Sequence, residues 1–154
     1  MSPPEIAAQL RENALNTKLE GPSAGPAEPF GLINEFRQGE VVVTLAAFKT
    51  GDVSLYLSNG GGIIGGVGHP ELAQLAQTTI AELAALVPLL ERSDATDPPR
   101  AREFCFYVLT PAGRYTARAL VTDQVARDGA VAKLVRLSGA LLTKVREANA
   151  SRQG

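Results

Sequence analysis

The sequence predicts an α+β fold: an antiparallel sheet of about four or five strands from two ββα units, with long helices packed mainly on one face and an additional N-terminal helix. Three observations carry this. Residues 41–58 and 103–121 each read as strand, tight turn, strand. Each is followed by a long stretch in which apolar residues recur at the 3.6 period of a helix. Hairpins that alternate with amphipathic helices pair antiparallel, because a tight turn cannot supply the long crossover that parallel strands need.

At the N-terminus, Ser2 and Glu5 form a capping-box pattern, Pro3 takes the favoured first helical position, and Ile6, Leu10, Leu15 and Leu19 give a thin apolar stripe. A helix is expected from about Pro3 to Leu19, inside an N-terminal helical segment 1–20. Gly21-Pro22-Ser23-Ala24-Gly25-Pro26-Ala27-Glu28-Pro29 stops it, and residues 21–39 read as a Pro/Gly-rich linker to one α+β domain over 40–150. Val41 to Phe48 is apolar on both faces, as a central strand would be. Lys49-Thr50-Gly51-Asp52 is a turn signal, and beyond it Val53, Leu55 and Leu57 alternate with Ser54, Tyr56 and Ser58, which leaves one face of that strand wet.

His69-Pro70-Glu71 opens a second helix, on which Leu72, Leu75, Ala76, Thr79, Leu83, Leu86, Val87 and Leu90 share one face. Pro88 should kink or end it by removing a backbone donor. Ser93 to Pro99 is an acidic, proline-terminated loop. Glu103 to Leu109 and Tyr115 to Val121 are the strands of the second hairpin, turned by Thr110-Pro111-Ala112-Gly113. From about Ala130 to Ala148, Val131, Leu134, Val135, Ser138, Leu141, Leu142 and Val145 line one side of a last helix and Lys133, Arg136 and Lys144 the other, with Gly139 marking a close helix crossing. The resulting order, over residues 40–148, resembles that of roadblock or profilin-like domains and, less closely, type III secretion chaperones. Both commonly pair into dimers, so the resemblance implies dimerisation.

Composition narrows the function classes. Aromatic residues make up 5% of the chain with no Trp, which argues against a flat aromatic recognition surface. Cys105 is alone, so no intrachain disulfide forms, and its place in Phe104-Cys105-Phe106-Tyr107-Val108-Leu109 reads as buried, which fits a reducing cytoplasm. No basic and apolar leader pattern opens the chain, and no apolar run approaches the roughly 18 residues of a membrane span. Residues 1–100 hold six Lys/Arg against twelve Asp/Glu, and residues 101–154 hold nine against four, giving −6 and +5. These parts are expected to face one another within the fold or across a homodimer.

The chemistry-bearing candidate is Ser58-Asn59-Gly60-Gly61-Gly62-Ile63-Ile64-Gly65-Gly66-Val67-Gly68-His69-Pro70, which holds six of the fifteen glycines and the only histidine. Gly60, Gly62 and Gly65 satisfy G-x-G-x-x-G, whose free amides and following helix N-terminus can cradle a phosphate. Against a dinucleotide fold stand the alternating strand before it, the gap between Gly65 and the helix, and the missing acidic residue about 20 positions on. A looser anion nest would use Ser58, Asn59, Gly60, Gly62 and Gly65, with His69 assisting as acid or base. The simpler reading makes the segment a tight crossover whose glycines let Ile63, Ile64 and Val67 pack into the core or a partner subunit. The pattern gives no zinc-type ligand set and no cofactor motif beyond the glycines. The basic side of the last helix, with Arg114 and Arg118 nearby, is too sparse for nucleic acid. The function expected is therefore a non-catalytic interaction or regulatory module of a bacterial-type cytoplasm, acting as a homodimer. The alternative is a small anionic ligand-binding or enzymatic domain using residues 58–69.

Overall fold

The computed structural model describes residues 2–19, 25–65, 69–120 and 129–153. Helix α1 (Pro3–Leu15) precedes four strands, β1 (Gly31–Gln38), β2 (Val41–Phe48), β3 (Val53–Leu57) and β4 (Gly62–Gly65). Helix α2 (Pro70–Leu83), a 3₁₀ turn over Val87–Leu89, and strands β5 (Glu91–Arg92), β6 (Glu103–Thr110) and β7 (Gly113–Leu120) follow, and α3 (Gly129–Gln153) ends the described chain. All strands pair antiparallel in one sheet of order β4-β3-β2-β1-β6-β7-β5.

The α+β class and the antiparallel sheet agree with the sequence, but the expectation of four or five strands is corrected. Six strands of four to eight residues and the two-residue β5 make the sheet. Residues 31–38, expected within the linker, form β1, which lies between β2 and β6 near the middle of the sheet. Its sequence, Gly-Leu-Ile-Asn-Glu-Phe-Arg-Gln, lacks strand-like alternation because a buried Glu35 occupies an inward position that an apolar residue would normally take. The expected crossover after β3 contains β4, so the order of elements becomes one helix, four strands, a helix, three strands and a helix.

Register divides the sheet into two faces. Leu32, Val43, Leu45, Val53, Leu55, Phe106 and Val108 lie under α2 and α3, which contribute Leu72, Ala76, Ile80, Leu83, Leu134, Leu141 and Val145 to one core. Ile33, Ala46, Cys105, Tyr107 and Leu109 lie on the other face with Phe30, beneath Ala14 and Leu15 of α1. Burying such side chains is worth roughly 1.5–3 kcal/mol each for the larger ones, so α2 and α3 supply most of the apolar stabilisation. Helix α1 docks through Ala7, Arg11, Ala14 and Leu15; of the expected stripe, Leu15 is buried and Leu19 packs against the same cluster, whereas Ile6 is 46% exposed. It starts against Gly60 in the β3–β4 turn, and its last carbonyl receives Arg114 of β7. Thirteen residues span about 20 Å, close to the roughly 19 Å of four strand spacings from β3 to β7. The helix therefore lies across the strands.

The hairpins β2–β3 and β3–β4 close with the same device. Phe48 N–H donates to Asp52 O and Gly51 N–H to Phe48 O; likewise Leu57 N–H donates to Gly61 O and Gly60 N–H to Leu57 O, all at 2.9 Å. Gly51 and Gly60 sit at φ 96° and 99°, a region that side chains rarely enter. Pro88 falls in the 3₁₀ turn, and α2 ends before it, at Leu83. Among the described residues the close crossing expected at Gly139 is absent: an added methyl there would meet none of them within 4 Å.

Candidate functional site

The turn residues singled out by sequence come together, with their polar groups already engaged. Ser58 Oγ accepts from Val42 N–H at 2.9 Å and Ser58 N–H donates to Val42 O at 2.9 Å. Asn59 Oδ1 accepts from Gly61 N–H at 3.0 Å, and Gly60, packed under Pro3, spends its amide on Leu57. Gly62, Ile63, Ile64 and Gly65 are in β4, opposite Tyr56, Leu55, Ser54 and Val53. Val67 lies outside the described residues. His69 is separate from the turn: it precedes α2 with no side-chain capping bond and borders a cavity of about 400 Å³ with Glu71, Lys144 and Glu147. Lys144 bridges Glu71 at 3.2 Å and Glu147 at 3.8 Å, and Glu71 holds its charge in place.

The densest polar chemistry lies under α1. Glu35 is fully buried and accepts two bonds from Arg11, from Nε at 2.6 Å and Nη2 at 2.8 Å, and a third from the Thr44 hydroxyl at 2.6 Å. The hydrogen bond to Glu35 raises the Arg11 pKa against the opposing effect of burial. Residues 94–99 cross the same face as a strap held by its carbonyls. Arg114 Nη2 donates to Asp94 O at 3.2 Å, Arg11 Nη2 to Thr96 O at 2.7 Å, and Arg37 Nε to Pro99 O at 2.6 Å. Arg118 Nη2 reaches Asp97 O at 2.8 Å, Pro98 O at 3.0 Å and Glu103 Oε1 at 3.1 Å, and the Tyr107 hydroxyl donates to Asp97 O at 3.3 Å. A proline-rich segment has few donors of its own, so arginines, with five each, are the natural partners for its carbonyls.

Electrostatics fixes what these groups can do. Burial pushes the Cys105 thiol up to about 12, against the attraction of Arg118, and the Tyr107 phenol up to about 12. Both stay protonated at neutral pH and are poor nucleophiles or bases. Burial pushes the Glu103 carboxyl up, but the Arg100 N–H and the Arg118 guanidinium more than offset this and hold its pKa below the ordinary glutamate value. The cluster therefore pins a helix and a strap to a sheet.

Sequence reasoning missed Arg11, Glu35 and Arg37 and misplaced two arginines. Arg114 and Arg118 share the α1 face with Cys105 and Leu109, whereas α3 packs on the opposite face, so they do not extend the basic side of that helix. The readable signal was the spacing of Arg114, Thr116 and Arg118, which puts two cations on one face of a strand, opposite the carbonyls of a proline loop. Along α1 runs a groove of about 460 Å³, with Pro4, Ala8 and Leu15 on the helix side, Val42 and Tyr56 on the sheet side, and Arg114 at one end. Among the described residues, no group of three or more His, Cys, Asp or Glu side chains could hold a metal ion, and no helix is long and apolar enough to cross a membrane. No protein-family model matches the chain, and no curated protein or solved structure matches it.

Proposed function

We propose that the chain works by binding, as a homodimeric interaction or regulatory module of a reducing, bacterial-type cytoplasm with no catalysis of its own, and that two copies join along β4. The observation that supports this is the place of β4 at the edge of the sheet. Because Leu57 and Gly61 face each other through a hydrogen bond, Ile63 and Gly65 direct their backbone groups at β3, and Gly62 and Ile64 direct theirs outward. Among the described residues no strand pairs with that outer side, and unpaired N–H and C=O groups are a template for strand addition. Two β4 strands meeting across a two-fold axis extend both sheets into one, an isologous contact. This gives Ile63 and Ile64 the interface role expected from sequence. The protonated state of Cys105 and Tyr107 agrees with a non-catalytic role.

Light scattering after gel filtration tests the proposal. The wild type is expected at twice its 16.2 kDa, and Ile64→Pro, which removes an outward N–H and leaves the β3 ladder intact, is expected to be a folded monomer. A wild type that stays monomeric at high micromolar concentration, or an Ile64→Pro variant that still dimerises, rejects the β4 interface.

A further inference from the structure

We infer that the groove between α1 and the sheet binds a small monocarboxylate with an apolar chain, its carboxylate taken by Arg114. This site is independent of the β4 edge. A guanidinium grips a carboxylate best through two parallel bonds from its Nε and Nη2, and on this same face Arg11 holds Glu35 in that way. On Arg114 the equivalent edge is nearly unused. Its Nη1 donates to Leu15 O at 2.8 Å and to Asn16 Oδ1 at 3.4 Å, which fixes the side chain against the end of α1. Nη2 has only the Asp94 carbonyl at 3.2 Å, and Nε is buried with no hydrogen-bond partner.

A buried donor without an acceptor is costly, so an acceptor supplied by a ligand relieves a cost that the free protein carries. Among the described residues no carboxylate pairs with Arg114; the Asp94 carboxylate is 3.7 Å from Arg92 instead. A ligand carboxylate that displaces the Asp94 carbonyl would meet Nε and Nη2 together. The rest of the groove sets the other half of the ligand. Pro4, Ala8, Leu15 and Val42 give apolar walls, and about 460 Å³ lies in the size range of small-molecule sites. The chemistry asked for is one negative fork and a flexible apolar tail, not a phosphate or a dicarboxylate.

Isothermal titration calorimetry of the full chain with octanoate tests this, with octan-1-ol and acetate as controls. Octanoate is expected to bind saturably, 1:1, and each control at least about tenfold more weakly, because each lacks one half of the recognition. Arg114→Gln should weaken octanoate binding by about tenfold or more, and Arg114→Lys, which keeps the charge without the fork, should not restore it. Ala8→Phe, an exposed position on the helix wall, should fill the groove and abolish binding with Arg114 untouched; it decides the matter if Arg114→Gln does not fold by circular dichroism. Absence of saturable octanoate binding to the wild type, or binding that survives Ala8→Phe unchanged, overturns the proposal.

Discussion

Arg11 and Arg114 lie on the same face of the sheet and both donate to the strap, yet they are satisfied in opposite ways. Arg11 faces a carboxylate that is wholly buried, at 2.6 and 2.8 Å, and its own side chain is only 22% exposed. Arg114 faces carbonyl oxygens and one amide oxygen, and keeps one buried donor empty. The difference separates two uses of the same side chain. A guanidinium closed by a carboxylate is a structural rivet, whose loss strands a charge; one held only by neutral acceptors keeps its charge available to an incoming anion.

The comparison can be broken from either side, and the largest effect is expected at the rivet. Arg11→Ala leaves Glu35 buried without its counter-ion and should cost about 3–5 kcal/mol in urea unfolding; a loss below about 1 kcal/mol would mean that water replaces the pair and that α1 is held by its alanines. Arg114→Ala removes the bonds to Leu15 and Asp94 but leaves no charge behind, so its cost should be smaller, about 1–2 kcal/mol. If it equals that of Arg11→Ala in the same assay, Arg114 is a rivet too and the contrast fails. The smallest effect should come from Glu103. Its folded pKa is held below the ordinary glutamate value, so the stability it contributes is present above that ordinary value and is lost as pH falls through the lower, folded one. Melting temperatures of the wild type should therefore drop in acid, and Glu103→Gln should lessen that drop by an amount worth about 1 kcal/mol or less.

The sequence read well where local pattern and tertiary environment agree. In β2 and β6 a continuous apolar run, in β3 side-chain alternation, and at the β2–β3 and β6–β7 turns the turn chemistry all agree with the sheet, and in α2 one face from Leu72 to Leu83 is buried. It read poorly where a polar residue stands in a core position. Glu35 disguised β1, and Arg11 hid the docking face of α1, because a buried ion pair looks from sequence like two solvated charges separated by 24 positions. Strand β4 was hidden for another reason: four residues bounded by glycines carry too little periodicity to declare a strand. The strap was legible as a loop, but the arginines that hold it come from α1, β1 and β7, and only the folded register brings them together.

The position of β1 has a consequence for how the chain reaches this structure. Strands β1 to β4 form a meander of neighbours in sequence, and β6 and β7 form a hairpin of their own, so each half can assemble by closing short loops. Among the described residues, the ladder that joins them is β1 with β6, which pairs Glu35 with Cys105 and Gly31 with Leu109, 70 and 78 positions apart. At that ladder two halves that are each local in sequence must find each other, and contacts of such separation are the ones that raise contact order and slow folding. Glu35 stands in that ladder and makes its ion pair with the N-terminal helix, so the residue that ties down α1 also sits where the two halves of the sheet are stitched.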